Sequence, residues 1–429
     1  NKLIASESAE SFAFSRLFVE MAKDLENDPV KAEDVKATVQ PDDWTSVLLL
    51  SGAWACAFSI FSGAIATLSL AVGATAPDGL ETLPLSLALI LQGVSNLVLP
   101  IFKQKLSLTC TYLLGGFLGI VACGLLVLGC FLEEFSVQCL GAALLGFSLG
   151  FAQNYRFVAV LLLPSNPANA VSAVLFGGVL GSLLGPGALA QAKDMLEAPF
   201  AGIYMLGGCV FAVSLVLLAC VKFPPVVPPS SDAAEAPRKL ATILRQPSCL
   251  SAVLTMASSY SIMLLLMAPT PVVMQQYYQH GYVPTTLTMM GHMFCMFAPS
   301  PFTGKLVSRC GSLKVIHCGL ALACATAIIL WLSSELWAFV FAMTLLGFTW
   351  NFMFLGGTVL LNSSVKAAES LKIVAVADCT VFLTAAVFTV LSMPLVSTIG
   401  WPETQFATMS MAVLVALCLG VAAAVAKAR

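Results

Sequence analysis

The sequence predicts an all-α integral membrane protein with 12 transmembrane helices in two pseudo-symmetric six-helix bundles. Three observations predict it. Of the 429 residues, 59% are hydrophobic and 10% charged, with a mean hydropathy of +0.93, whereas soluble domains carry about a quarter charged residues. Twelve apolar stretches approach the roughly 20 residues a helix needs to cross a bilayer. Loop bases then fall almost entirely on one side of that parsing, as Lys and Arg do on the face that is not translocated. Little chain remains for a soluble catalytic domain. A formal net charge of -2, without a basic patch, argues against nucleic acid as a partner.

Residues 1–43 are different in kind, with ten acids and five bases. Phe12, Phe14, Leu17, Phe18 and Met21 recur at near-helical spacing, which predicts an amphipathic helix lying on the bilayer or against a protein partner. The chain begins with Asn, so removal of an upstream targeting segment is expected.

The expected spans are Trp44 to Val72, Leu83 to Phe102, Leu106 to Cys130, Phe135 to Leu163, Ala168 to Ala192 and Phe200 to Val221 in a first half covering residues 44–222. A Pro-rich linker, 223–247, follows with Pro-Pro-Val-Val-Pro-Pro-Ser-Ser at its centre. The second half, 248–429, holds Cys249 to Met274, Thr286 to Thr303, Val315 to Leu332, Leu336 to Leu361, Leu371 to Val396 and Phe406 to Ala426. On this parsing Lys103, Lys105, Lys222, Arg238, Lys239, Arg245, Lys305, Arg309, Lys314, Lys366, Lys372, Lys427 and Arg429 share one side, and Lys193 stands alone on the other among acids. Both termini are therefore expected on the cytoplasmic-like, non-translocated side of a multi-pass protein. An organelle inner membrane is compatible with that reading.

The fourteen cysteines sit largely in apolar runs without C-x-x-C spacing and read as small core residues. His280, His292 and His317 share no ligand spacing, so no metal or other cofactor is expected. Asn362-Ser363-Ser364 fits a glycosylation pattern but falls on the basic side. No phosphate-binding loop or H-E-x-x-H occurs, and Gly146-Phe147-Ser148-Leu149-Gly150 matches G-x-S-x-G only inside a membrane helix. An enzyme is not expected.

Internal duplication is suggested by Leu144-Leu145-Gly146-Phe147 in the fourth span, which recurs as Leu345-Leu346-Gly347-Phe348 in the tenth. Lys105-Leu106 likewise recurs as Lys305-Leu306. Duplicated halves are a common basis for alternating access around a midplane site.

Gly304-Lys305-Leu306-Val307-Ser308-Arg309-Cys310-Gly311 follows the loop G-x-x-x-D-R-x-G with Ser308 in the Asp place, and Gly181-Ser182-Leu183-Leu184-Gly185-Pro186 matches G-x-x-x-G-P. On these residues the chain resembles the major facilitator superfamily over nearly everything after the acidic segment. Phe151 to Phe157 and Phe297 to Gly304 are similar to stretches of a bacterial-type branch of uncharacterised permeases. The resemblance implies two bundles rocking about a central cavity, with Gly304, Arg309 and Gly311 as gating residues and Gly181, Gly185 and Pro186 as the antiporter-type motif. After the second span, however, Pro100-Ile101-Phe102-Lys103-Gln104-Lys105 lacks the Gly and Asp usual in the family. Unequal latches of this kind predict a bias toward a state closed at the outer end.

Charges inside the hydrocarbon region are costly and usually face a cavity or a partner. Arg156 in the fourth span and Asp378 in the eleventh lie at similar depth on opposite halves, which invites pairing. Gly146, Gly150, Gln153, Asn154 and Phe157 define a small-then-polar helical face suited to lining a cavity; Gln92, Ser95 and Asn96 form a second polar patch, and Trp350 with Asn351 a third. The expected solute-binding set is Arg156, Gln153, Asn154, Gln92, Asn96, Trp350 and Asn351, with Asp378 as the proton site. Gly177, Gly181 and Gly185 form a small face for close helix approach, and Pro186 bends the helix. The leading reading is a secondary active transporter of a small solute, extending to an organic anion and to proton-coupled antiport. The alternative is a transport-impaired structural subunit of a larger membrane complex, docked through its acidic N-terminal segment.

Overall fold

The computed structural model describes residues 42–73, 75–165, 167–223, 238, 240–365 and 367–428. The amphipathic helix expected around Phe12 to Met21, its partner docking and the Pro-rich centre of the linker lie outside the described residues.

The described residues build helices only, and the first half comprises α1 (Trp44–Ala71), α2 (Leu83–Lys105), α3 (Leu108–Leu132), α4 (Phe135–Gln153), α5 (Tyr155–Leu162), α6 (Pro167–Leu183) and α7 (Ala201–Cys220). After a short linker helix, α8 (Leu240–Leu244), the second half runs through α9 (Pro247–Met267), α10 (Thr270–Val272), α11 (Tyr282–Phe297), α12 (Ser300–Cys310), α13 (Ser312–Leu332), α14 (Leu336–Ser364), α15 (Ala367–Ile399) and α16 (Trp401–Ala428). Among the described residues, eleven helical stretches are long and apolar enough to cross a membrane. The remaining pass, expected from Thr286 to Thr303, is the shorter α11, continued through Ala298 and Pro299 into α12. Leu132, Phe176, Val216 and Leu417 project outward, as befits helices solvated by lipid.

Starts and interruptions have local causes. Asp43 caps α1: its carboxylate accepts from the Ser46 N–H at 3.0 Å and the Ser46 hydroxyl at 2.7 Å, satisfying donors that the helix leaves open. The Ser46 hydroxyl oxygen also accepts from the Lys222 N–H at 3.1 Å, tying the start of α1 to the end of α7. The fourth pass, expected unbroken from Phe135 to Leu163, divides at Asn154, whose N–H closes a tight turn on the Phe151 carbonyl at 3.1 Å. The fifth, expected as a bent helix to Ala192, leaves α-helical geometry after Leu183 for a wide π-type turn, Leu184–Ala188, and a 3-10 turn, Leu189–Asp194. Pro186 lies in the wide turn and has no N–H to give.

The repeated Leu-Leu-Gly-Phe segments do the same job in each half. A Cβ on Gly146 would collide with the Ala88 carbonyl of α2, and one on Gly347 with the His292 carbonyl of α11. Each glycine lets one helix touch the backbone of its neighbour. Gly115 meets the Phe151 side chain in the first half as Gly319 meets Met353 and Phe352 in the second. Small residues at such crossings are what helix packing in lipid relies on, because no hydrophobic force drives helices together there.

The halves meet where α2 packs on α15, α6 on α11, and α1 on α10 and α11. At the end bearing the acidic loops the contacts are specific. Thr82 donates its hydroxyl to the Thr389 carbonyl at 2.9 Å. The Lys193 ammonium of the first half lies 5.3 Å from the Phe200 ring centroid and 4.8 Å from that of Tyr282 in the second. A Cβ on Gly73 would come within 3.2 Å of the Gln276 amide. This end is closed.

Candidate functional site

Between the halves lies a cavity of about 230 Å³, room for a small organic solute and not for a macromolecule. Toward the basic loops its lining continues to Thr358, Leu361 and Asn362. Aromatic rings form a continuous arc around it. From α1 the arc runs Trp54 to Phe58 at 5.4 Å between centroids, then crosses to Phe297 of α11 at 4.9 Å. Phe297 lies 5.5 Å from Trp350, which stacks on Phe354 at 4.8 Å and 15°. Tyr260 completes it, 5.4 Å from Trp350 and 5.3 Å from Phe382. Thioethers share the lining: Met256, Met263 and Met267 of α9, with Met293 and Met296 of α11.

Polar atoms on this wall are few, and several lack a protein partner. The indole N–H groups of Trp54 and Trp350, both amide atoms of Gln92, and Nε of Arg156 are buried without a hydrogen bond. Gln92 is 1% exposed, Trp54 3% and Trp350 5%. Buried polar groups normally find partners; these belong to residues that line the cavity, but the atoms themselves are covered by protein, as with the Trp54 indole nitrogen, which lies 3.1 Å from where a Cβ on Gly178 would be.

Arg156 and Asp378 come together as their depth in the sequence suggested. An Arg156 Nη2 hydrogen donates to Asp378 Oδ2 at 3.1 Å, with the side chains 16% and 9% exposed. The guanidinium carbon also lies 4.8 Å from the Phe157 ring centroid. Each charge compensates the other in a region where either alone would be costly. The pair bridges α5 of the first half and α15 of the second.

Other expected site residues divide into those on the wall and those off it. Gln92, Gln153, Trp350 and Asn351 line the cavity beside the ion pair. Asn351 has already spent its amide: it donates to the Met296 carbonyl at 2.7 Å and the Ser300 hydroxyl at 2.9 Å, and accepts from Thr303 at 2.6 Å. It braces the interruption at Pro299. Asn154, expected to face the solute, is a correction, because its carbonyl oxygen accepts from the Lys103 ammonium and, at 2.9 Å, from the Tyr112 hydroxyl. The helix break rotates it off the face shared by Gln153. Gly146 and Gly150 likewise pack on α2 instead of lining the cavity; a Cβ on Gly150 would strike Ser95. Asn96, 9% exposed with its amide nitrogen unpartnered, belongs to the same buried α2 face one turn beyond Gln92 and is outside the cavity lining.

The small-residue motif has a structural role. A Cβ on Gly181 would approach the Ala55 carbonyl to 2.9 Å, and one on Gly185 would meet Ser59 and Ser62. The Ser62 hydroxyl donates back to the Gly181 carbonyl at 3.0 Å. Gly304 faces open space within α12, exposed Arg309 occupies that helix's last turn, and Gly311 precedes α13 with φ +87, a conformation that suits glycine.

Sequence reasoning missed Trp54, Tyr260, Phe297 and the methionines. Six tryptophans in the whole chain made Trp54 a signal worth weighing, since indole in mid-membrane needs a partner for its N–H.

No protein-family model matches the chain. It is 30% identical over 324 residues to the riboflavin transporter RfnT of Brucella anthropi, a match covering 75% of this chain and 81% of that protein. Over 323 residues it is 27% identical to the uncharacterized MFS-type transporter YddS of Bacillus subtilis, covering 69% of this chain and 70% of the other. Among solved structures, the POT family transporter PepTSo shares the fold with a TM-score of 0.69 at 12% identity, covering 90% of this chain and 99% of that one. By its sequence relatives, its fold and its multi-pass apolar helices, the chain belongs to the major facilitator superfamily, a family of membrane transporters and not of enzymes.

Proposed function

We propose that the protein is a secondary active transporter of a neutral, planar heteroaromatic solute of the flavin class. The observation that carries this reading is the aromatic arc from Trp54 to Phe382 around the cavity. Flat rings stack on such surfaces, while the Gln153 amide on the lining suits the carbonyl-rich edge of a fused heterocycle. The riboflavin transporter among the relatives supports the same class. Transport proceeds by alternating access from the acidic-loop-closed state described above, drawing on a solute or ion gradient. Asp378 is the proposed proton carrier, as the carboxylate on the cavity wall, and the pH dependence of uptake in Asp378→Asn reads that role. Both termini lie on the non-translocated side with the basic loops, to be mapped by protection of terminal tags.

The test is direct. Riboflavin fluorescence should be quenched saturably on titration with purified protein, and vesicles containing the protein should take up riboflavin in a manner that Trp350→Ala abolishes. Absence of both quenching and flux for riboflavin overturns the reading.

A further inference from the structure

We propose that Asp378 sets the charge selectivity of the cavity: by holding Arg156 in an ion pair it leaves the solute site electrically neutral, so that the carrier takes the uncharged vitamin and rejects its phosphate ester. The inference rests on the flavin reading above and deepens it. Among the described residues lining the cavity, Arg156 and Asp378 are the two that carry charge. At 3.1 Å they cancel one another toward a bound solute.

Arg156 gives one Nη2 hydrogen to Asp378, its face lies against the Phe157 ring and its Nε is buried; its other Nη hydrogens can still donate, but the adjoining carboxylate offsets the charge that would draw an anion. The other polar side chains of the lining, among them Gln92, Gln153, Trp54 and Trp350, are neutral. Lys103, a base of the first half, is turned away to Asn154 and Tyr112 and lies outside the lining. A phosphate entering this cavity would lose its hydration and find no uncommitted cation, and Asp378 would repel it. Burying a charge without a counter-charge is strongly unfavourable, whereas the ring and hydroxylated chain of the vitamin need only hydrogen bonds. Selection of this kind works by penalising the wrong solute.

The experiment compares riboflavin with riboflavin 5′-phosphate by fluorescence quenching against the purified full chain at neutral pH. Wild-type protein is expected to bind riboflavin on the order of a hundredfold more tightly than the ester. Asp378→Asn, which frees Arg156, should narrow that gap by about tenfold or more. The double variant Arg156→Gln/Asp378→Asn, which has no cation to free, should continue to reject the ester and also serves if the single variant does not fold. Equal binding of both flavins by wild-type protein, to within about threefold, overturns the inference and leaves the flavin reading standing. A double variant that accepts the ester as readily as riboflavin also overturns it, because rejection would then have come from the aspartate's charge alone and not from the masking of Arg156. Failure of riboflavin itself to bind removes the flavin reading and this inference together.

Discussion

The Lys193 ammonium sits 4.8 Å from the ring centroid of Tyr282, a cation of the first half held against an aromatic face of the second. Lys193 is the base that the loop pattern left alone on the acidic side, and the structure puts it in the closure of that end. Lys193→Ala should loosen the closure by about 0.5–1 kcal/mol. A cysteine placed at Ile65 on the cavity wall should then react about two- to fivefold faster with a maleimide supplied from the acidic-loop side. Unchanged labelling would assign the closure to Thr82, Thr389 and the helix contacts alone.

Arg156 and Asp378 should be energetically coupled. Either alanine substitution alone leaves a buried charge without its partner and should cost about 3–5 kcal/mol. The double neutral variant should cost clearly less than the two losses combined, as read from unfolding of the detergent-solubilised protein. Strict additivity would mean that the 3.1 Å contact contributes nothing.

The Trp350 ring can be kept or removed. Trp350→Phe retains an aromatic wall and should hold riboflavin binding within about threefold, whereas Trp350→Ala removes the stacking surface and should weaken it by about tenfold or more. Binding titrations on the two variants read the contribution of stacking.

Glycines of similar motif pedigree should respond oppositely. Gly181→Val would force a side chain into the Ala55 carbonyl and Phe58, and should destabilise the protein by about 2 kcal/mol or more. Gly304→Ala meets nothing within 4 Å and, being helical, should be neutral or slightly stabilising. Paired thermal-melting measurements check both.

Ser46 donates twice to Asp43 and thereby holds that carboxyl below its ordinary value. A lowered folded-state pKa contributes stability that is complete above the unfolded pKa and is lost as pH falls through the folded one. Asp43→Ala should therefore cost about 0.5–1 kcal/mol at neutral pH, discounted for exposure. The gap from wild type should close as the pH drops below about 4.

What the sequence disclosed follows from what membranes penalise. Apolar length marks a pass because an unsatisfied backbone cannot cross lipid, and Arg156 and Asp378 stood out because charge there is rare. The glycines at 177, 181 and 185 were readable because only a crossing rewards a four-residue small stripe. Asn154 was not, because its direction depends on a helix break that it helps to make, and helical spacing assumes no break. The aromatic arc was hidden for another reason. Phe in a membrane helix faces lipid as readily as a cavity, and Phe176, 62% exposed, looks no different in sequence from Phe58, 5% exposed.

The interlock of α1 with α6 has a mechanical consequence. Gly177 and Gly181 bring the backbones of the two helices into direct contact, Gly185 extends that contact into the wide turn, and Ser62 stitches them with a hydrogen bond to Gly181. Neither helix can slide on the other without steric collision, so they move as one plate. Trp54 and Phe58 on α1 and Leu175 on α6 all face the cavity, which makes that plate one jaw of a vice. Its compliance must come from elsewhere, where Phe58 slips against Phe297, and the opposing jaw is padded with methionine, whose unbranched side chain yields most easily.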